Sequence, residues 1–434
     1  MIKKFAFPLL LSLIILSLAG CAVSGTPVLS TGAPSSLPPT QGVSPTSTPL
    51  PPTELPTLAP PTPTATPLPV NAIQHFPTGQ EFTVTSIHML DATMGWSIGG
   101  LGSIVGDHVL FTRDGGSTWK DVTPPEAAIS GATKAATSFF QDALTAWVTY
   151  TIGEGNPVPT RPVVWHTTDG GASWTASQPL DVNDLAEIYV PAELQFVGGQ
   201  TGWLRVHVGA GMMHDYTAIY RSTDAGATWT RIIDPYTDGG IQSCTKNAML
   251  FTDATHGWLT GDCGGVQAGA LLFKSSDAGS TWQLVTLPEP TDYAGIFSNE
   301  SMIACGSYNP FFFGNDLGYI AVNCQDYSGT QMSYFYYLYT TQDGGSSWTS
   351  RTYPGEAVYF FSADTGWALA AKIQQTTDGG ATWKAISDVT WTAQVDFVSA
   401  QLGWGVARSD TAEALVKTVN GGATWTELTP SVGP

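Results

Sequence analysis

The chain has 434 residues, of which 42% are hydrophobic and 12% charged, and its formal net charge is −19 at pH 7. Nucleic acid and anionic membrane surfaces are therefore improbable partners, because both repel a strongly acidic protein. The charge fits a cationic partner or simple solubility, and solubility is the commoner cause.

Residues 1–21 have the pattern of an export signal. Lys3 and Lys4 precede the apolar run Phe5–Leu18, and the small residues that follow end at Cys21. The sequence LAGC resembles the lipobox of bacterial lipoproteins, which implies cleavage before Cys21 and lipidation of that residue. We therefore expect an extracytoplasmic protein, at the cell surface or in the periplasm, held to the membrane by acyl chains on Cys21. A single transmembrane helix is less favoured because the apolar run is short.

Residues 22–72 form a linker rich in proline, threonine and serine, as in PTSTPLPPTELPTLAPPTPTATPLP. Such a composition cannot build a packed core and favours extended polyproline II. We predict a disordered spacer that holds the folded domain away from the membrane. O-glycosylation of this segment stays open.

Between residues 73 and 434 one motif recurs seven times: Ser/Thr, any residue, Asp, any, Gly, any, Ser/Thr, Trp. In a tight turn the Asp accepts backbone N–H groups, the Gly takes positive φ, and the Trp supplies apolar bulk. Because each carboxylate is embedded in a turn, we predict structural rather than catalytic roles. The seven acceptor positions are Asp114, Asp169, Asp224, Asp277, Asp343, Asp378 and Asn420.

A second repeat lies upstream of each turn, where a small residue precedes an aromatic one. Each unit then reads strand, turn, aromatic strand, loop, strand, Asp turn, strand. Four strands in each of seven units predict an all-β domain, a seven-bladed β-propeller of four-stranded antiparallel blades. The last unit ends near Leu428, so no strand must be borrowed across the closure, although Gln74–Phe76 could add an edge pairing. The seven aromatic positions are Trp96, Trp147, Trp203, Trp258, Tyr319, Trp367 and Trp404.

The turn motif resembles the Asp-box, or BNR, repeat of sialidases and many other propellers. The paired repeats most resemble the photosystem II assembly and stability factor family, over residues 75–430. Members of that family are seven-bladed propellers outside the cytoplasm that escort a membrane protein. The resemblance implies a binding or assembly module.

Two cysteine pairs have identical spacing in units four and five. Cys244 and Cys305 lie 14 residues before the repeat aromatic, and Cys263 and Cys324 lie five after it. Each pair therefore falls on the first two strands of one blade. Export to an oxidising compartment favours the disulfides Cys244–Cys263 and Cys305–Cys324. A Cys₄ metal site is a less favoured alternative because CxxC spacing is absent.

One face of the ring should carry the loops between strands two and three and the loops between blades. In units two to five these loops are long and acidic, so we predict a binding face there, with ordinary solvated loops as the alternative. His207 and His214 could hold a metal near Asp215, but lone histidines seldom do, and no metal or other cofactor is predicted. The candidate residues are Glu154, Asp184, Glu187, Asp215, Asp238, Asp262, Asp292 and Asp326.

Two aromatic stretches, Tyr308–Phe313 and Ser333–Tyr339, could form a carbohydrate platform. Both precede repeat landmarks at strand distance, so packing inside the blades is favoured.

No catalytic residues are predicted. Sialidases combine Asp boxes with an arginine triad and an F/Y-R-I-P motif, whereas the nearest match here, Arg161-Pro162, lacks the isoleucine and follows the first box. Xyloglucan hydrolases with these repeats use two propellers facing a cleft, which one propeller cannot form. We predict a monomeric, non-enzymatic module that binds a protein or a cell-surface polysaccharide. The alternative is a glycan-binding or sialidase-like glycoside hydrolase.

Overall fold

The structure is a computed structural model. It describes residues 71–434 except 103–105, 129–133, 152–161, 184, 186–187, 212–213, 237–240, 265–268, 299–301, 390 and 410–412. The predicted export signal, Cys21 and all but the last two residues of the predicted linker lie outside the described residues. Every regular element in the described part is a β-strand. No helix there has the length and apolarity needed to cross a membrane.

Consecutive strands pair antiparallel in sets of four, and each set coincides with one sequence unit. Unit one holds β1 (Thr83–Met89), β2 (Gly95–Gly100), β3 (His108–Thr112) and β4 (Thr118–Asp121). Unit two holds β5 (Ala136–Phe140), β6 (Ala146–Tyr150), β7 (Trp165–Thr167) and β8 (Thr175–Ala176). Unit three holds β9 (Val190–Val197), β10 (Thr201–Gly211), β11 (His214–Ser222) and β12 (Thr230–Ile233).

The remaining units repeat the same order. Unit four holds β13 (Thr245–Phe251), β14 (Gly257–Asp262), β15 (Leu271–Ser275) and β16 (Gln283–Leu284). Unit five holds β17 (Ile303–Phe313), β18 (Leu317–Asp326), β19 (Ser333–Thr341) and β20 (Thr349–Thr352). Unit six holds β21 (Ala357–Phe360), β22 (Gly366–Leu369), β23 (Lys372–Thr376) and β24 (Lys384–Asp388). Unit seven holds β25 (Thr392–Phe397), β26 (Gly403–Arg408), β27 (Glu413–Thr418) and β28 (Thr426–Leu428), and β29 (Ser431–Val432) follows it.

Within a unit, burial is highest in the second and third strands and lowest in the fourth. All residues of β2, β3, β6 and β22 are buried, whereas both residues of β16 are exposed and β20 is largely exposed. Strands covered on both faces carry continuous apolar runs, which is the pattern of the second strands. The core therefore lies between neighbouring sheets, and the fourth strands form the rim.

The Asp box is a self-contained turn, as the copy at Asp378 illustrates. Its carboxylate accepts the Thr376 hydroxyl at 2.8 Å, and the Thr382 backbone N–H at 2.8 Å and hydroxyl at 2.6 Å. The bond from the Thr382 hydroxyl is the main cause that lowers the pKa of Asp378 to about 2. The other five Asp copies make the same three hydrogen bonds. In the seventh copy the Asn420 side-chain oxygen accepts the first two of these bonds, and its N–H donates to the Thr424 hydroxyl at 2.9 Å.

Most of the repeat aromatics bond to the backbone of the next unit. The indole N–H groups of Trp147, Trp203 and Trp367 each donate at 2.8 Å to a backbone carbonyl in the following unit's Asp box. Trp404 of unit seven donates to Gly115 of unit one at 2.9 Å, so the last unit is joined to the first. This closed cycle of four-stranded meanders is the arrangement of a β-propeller.

Closure of the ring also involves a strand that sequence reasoning did not predict. β29 pairs parallel with β4, which makes the first sheet five-stranded. Val432 is buried, and its backbone N–H donates to Gln80 at 2.9 Å while its carbonyl accepts from Gly79 at 2.8 Å. Unit seven keeps its own four strands, so β29 is an addition to the ring rather than a borrowed strand. It forms because the exposed edge of β4 offers hydrogen-bonding groups that even a two-residue strand can satisfy.

We expect removal of residues 431–434 to lower the free energy of unfolding by about 3 kcal/mol, from lost burial of Val432 and lost backbone bonds. Urea unfolding of the full chain and of the truncated chain measures the change. Removal of Pro434 alone is the matched control and should leave the midpoint in place. An unchanged midpoint in the longer truncation would contradict a closing role for β29.

Two boxes carry alanine where the others carry glycine, and in both the alanine holds positive φ, 57° at Ala225 and 62° at Ala278. A Cβ atom strains this left-handed conformation. We expect Ala225→Gly to raise the free energy of unfolding by roughly 1 kcal/mol. Ala227→Gly, two residues on in the same turn, should instead lower it, because Ala227 is not in the positive-φ region and glycine adds only unfolded-state freedom. Equal effects of the two substitutions on urea unfolding would refute the strain.

Candidate functional site

Two disulfides brace neighbouring units on one face. Cys244 is bonded to Cys263 in unit four, with a Cα–Cα distance of 4.6 Å. Cys305 is bonded to Cys324 in unit five, where the two residues face each other across β17 and β18. The two sheets also meet, because Asp262 at the end of β14 pairs with Gly306 in β17. Units four and five therefore form one eight-stranded sheet.

A pocket of about 300 Å³ opens beside these disulfides. It lies where β14 and β18 end and where β17, β19 and β21 begin, so three neighbouring units contribute. Its size is at the lower end of the range for ligand sites. The lining residues are Asp262, Gly264, Ala304, Tyr308, Asn323, Gln325, Tyr327, Tyr334, Tyr336 and Glu356.

Asp262 is fixed at one wall of the pocket. One carboxylate oxygen accepts the Gly264 backbone N–H at 2.7 Å, and the other accepts the Tyr308 hydroxyl at 3.1 Å. Burial, followed by the charge of Asp262 and its hydrogen bond, raises the pKa of Tyr308 to about 12. Tyr308 is therefore a neutral phenol at physiological pH, and its hydroxyl donates a hydrogen bond to the Asp262 carboxylate.

Glu356 and Asn323 form the wall towards unit six. The Asn323 side-chain N–H donates to the Glu356 backbone carbonyl at 2.8 Å, and its oxygen accepts the Tyr353 hydroxyl at 2.9 Å. The amide is thus held on both sides, while Glu356 itself is exposed. A second acidic residue therefore lines the pocket, and it belongs to a different unit from Asp262.

Tyrosine rings supply the apolar surface of the pocket. Tyr327 and Tyr334 are 46% and 48% exposed, and Tyr336 is half-buried. Tyr337 and Tyr339, further along the same strand, are buried in the core. The aromatic stretch Ser333–Tyr339 thus divides, because its first half lines the pocket and its second half packs between sheets.

The residues predicted to form the binding face do not lie together in one site. Asp262 lines the pocket, Asp326 lies at the end of β18 and accepts the Ser328 backbone N–H at 2.8 Å, and Asp292 is an exposed loop residue. Glu154, Asp184, Glu187 and Asp238 lie outside the described residues.

Asp215 belongs to a buried ionic cluster rather than to an open site. Its carboxylate contacts the His207 imidazole and accepts the Lys246 backbone N–H at 3.1 Å. Burial alone would raise the pKa of Asp215, but these bonds bring it below its ordinary value. Burial lowers the pKa of Lys246 to about 8, although three backbone carbonyls accept from its ammonium group. Among the described residues no three His, Cys, Asp or Glu side chains are placed to hold a metal ion.

Sequence reasoning missed Asn323 and Glu356. Neither carries a motif, and Glu356 precedes a unit with short loops. Their role depends on the juxtaposition of three units, which spacing along the chain does not reveal.

No family model matches the chain. Part of it is 30% identical over 171 residues to a xyloglucanase from a Paenibacillus species, covering 39% of this chain and 13% of that protein. It is also 28% identical over 189 residues to the xyloglucanase Xgh74A of Acetivibrio thermocellus, covering 42% of this chain and 18% of the relative. The match thus spans less than a fifth of either relative's own length.

A solved structure described as YCF48 bound to a D1 peptide is 17% identical and covers 82% of this chain and 99% of its own, with a TM-score of 0.49. This likeness is too weak to assign a function.

The sequence matches correct two predictions. The chain was expected to be a non-enzymatic binding or assembly module, and this was wrong, because the proteins that match in sequence are xyloglucanases. The alternative, a glycan-binding or glycoside-hydrolysing protein, fits these relatives better.

The contact between Asp262 and Tyr308 can be tested by titration. We expect Asp262→Asn to lower the pKa of Tyr308 towards the value that burial alone sets, because the negative charge beside the phenol is removed. Titration of ¹³Cζ-labelled tyrosines by NMR measures the shift.

Asp292→Asn provides the reciprocal control. Asp292 contributes to the raised pKa of Tyr337, which burial and this charge bring to about 12. The control should lower the pKa of Tyr337 and leave Tyr308 unchanged. A Tyr308 titration that is the same in the wild type and in Asp262→Asn would contradict the contact.

Proposed function

We propose that this chain is an exported lipoprotein whose seven-bladed β-propeller, residues 73–434, binds and hydrolyses a neutral polysaccharide outside the cytoplasm. The basic start, the apolar run and the LAGC sequence ending at Cys21 support export and lipid anchoring. The seven Asp-box units and the contact from Trp404 to Gly115 support the seven blades.

The pocket between units four, five and six carries the proposal. Sugar rings present apolar C–H faces and a rim of hydroxyl groups. Exposed tyrosine rings at Tyr327 and Tyr334 offer surfaces for the faces, and the amides of Asn323 and Gln325 offer donors and acceptors for the hydroxyls. This combination suits a carbohydrate better than a peptide anchored by an apolar side chain.

The two carboxylates are the candidates for catalysis. Glycoside hydrolysis commonly uses one carboxyl group to protonate the leaving oxygen and a second to attack or to activate water. Asp262, held by Gly264 and Tyr308, suits the fixed carboxylate, whereas exposed Glu356 can approach a bound glycoside. The two residues belong to different units, so a sugar in the pocket lies between them.

Charge selects among polysaccharides. The net charge of −19 disfavours an anionic glycan, because like charges repel on approach. The sequence relatives are xyloglucanases. We therefore assign a neutral β-glucan, with xyloglucan as the first substrate to test.

We expect the protein to bind xyloglucan oligosaccharides and to release new reducing ends from xyloglucan. Tyr334→Ala should weaken binding about tenfold, which corresponds to roughly 1.4 kcal/mol, because a stacking surface is lost. Asp262→Asn and Glu356→Gln should each lower the rate of hydrolysis by at least about a hundredfold while leaving binding measurable. Calorimetry and a reducing-end assay provide the two measurements.

Phe361→Ala is the matched control. Phe361 is an exposed aromatic residue in the turn between β21 and β22, at the opposite end of its unit from the pocket. Its removal should change neither binding nor hydrolysis. No binding to any neutral glucan, or equal losses in Tyr334→Ala and Phe361→Ala, would refute the proposed site.

A further inference from the structure

A second aromatic surface lies on the same face as the pocket, in unit three. His214 and Tyr216 lie at the start of β11, and Tyr236 follows β12 in the loop towards unit four. The rings of His214 and Tyr216 have centroids 6.0 Å apart at an interplanar angle of 24°, and those of Tyr216 and Tyr236 have centroids 5.7 Å apart at 48°. The three rings therefore form one continuous aromatic surface.

The surface is open and its outer ring is fixed in place. Tyr236 is 48% exposed, and His214 is also exposed. The Tyr236 backbone N–H donates to the Asp234 carboxylate at 2.9 Å, and that carboxylate also pairs with Arg231 at 3.3 Å. Tyr216 packs its inner side against the core of unit three. An aromatic ring held in position and left open to solvent is a preformed contact surface.

The strongly exposed tyrosines share one face. Among the described residues only three tyrosines exceed 40% exposure, Tyr236, Tyr327 and Tyr334. Tyr327 and Tyr334 line the pocket, and Tyr236 lies in a loop between blades, which ends on the same side of the ring as the pocket. Elsewhere in the described chain tyrosines are buried or half-buried, so their exposure is confined to this face.

The two aromatic surfaces are connected by a disulfide. His214 pairs with Cys244 through a β-bridge, Cys244 is bonded to Cys263, and Cys263 lies between the pocket residues Asp262 and Gly264. Neighbouring strands lie about 4.8 Å apart, the Cα atoms of Cys244 and Cys263 are 4.6 Å apart, and successive Cα atoms lie about 3.8 Å apart. The Cα atoms of His214 and Asp262 are therefore at most about 13 Å apart. A short run of linked sugar rings spans such a distance.

We propose that the His214–Tyr216–Tyr236 surface is a distal subsite that binds further sugar units of the chain held in the pocket. This inference rests on the proposed function and deepens it, because it names residues outside the pocket that bind the polysaccharide chain. The pocket holds the units near Asp262 and Glu356, and the distal subsite stacks on units several positions away. Long chains should therefore bind more tightly than short ones.

The test is binding of a short and a long xyloglucan oligosaccharide, measured by calorimetry on the full chain. Glu356→Gln is the background in every case, so that the ligands stay intact. The long ligand should bind at least about tenfold more tightly than the short one. Tyr236→Ala should remove this advantage and leave the short ligand's affinity unchanged, whereas Tyr334→Ala should weaken both.

Two further variants separate stacking from a general loss of structure. Tyr236→Phe keeps the ring and should retain the tight binding of the long ligand. Phe361→Ala, on the opposite face, should affect neither ligand.

The outcomes distinguish this inference from the proposed function. If both ligands bind but their affinities are equal, or if Tyr236→Ala leaves the long ligand's advantage intact, the distal subsite is overturned and the pocket stands. If neither ligand binds to the protein, the proposed function fails, and the distal subsite fails with it.

Discussion

The structure depends on a contact that recurs around the ring, in which the aromatic residue of a unit's second strand bonds to the backbone of the next unit. Six of the seven units make it, through Trp96, Trp147, Trp203, Tyr319, Trp367 and Trp404. Trp404 closes the cycle by donating to Gly115. A four-stranded meander exposes one apolar face on each side, so it cannot be stable by itself. The contact is directional as well as apolar, because a buried indole N–H requires an acceptor. For four of the tryptophans the Asp box supplies that acceptor, in a turn that its own hydrogen bonds hold in place. For Trp96 and Tyr319 the acceptor is a carbonyl in the turn before the next unit's aromatic strand.

This division of labour leaves one face free to vary. The Asp boxes and the turns that precede the aromatic strands lie on the opposite face, where their geometry is constrained by packing. The loops between strands two and three are not constrained by this packing, so they can lengthen and acquire polar and aromatic residues. Units four and five use that freedom, and their disulfides compensate for the longer loops by fixing Cys263 and Cys324 directly beside pocket residues.

The part of the fold that was predicted from sequence is the part encoded locally. The bonds of the turn at Asp378 join residues two and four apart in sequence, so they can be derived from the motif alone. The strand formed by Val432 was missed because two residues carry no periodicity and its partner lies more than 300 residues away. Asn323 and Glu356 were missed for a related reason. A pocket at the meeting of three units is a property of their relative placement, and no single segment carries its signature.

The prediction of a non-enzymatic protein was wrong because it depended on an assumption about architecture. A cleft between two propellers was taken as necessary for acting on xyloglucan, and one propeller was therefore judged unable to do so. A concave binding site, however, requires only that the surrounding loops project to different extents. Neighbouring sheets of one ring meet this requirement when their loops differ in length. Asp262 of unit four and Glu356 of unit six line the same pocket, together with residues of unit five. Two acidic residues in one pocket lined by tyrosines are the kind of side chains that the proposed glycoside chemistry requires, whichever architecture brings them together.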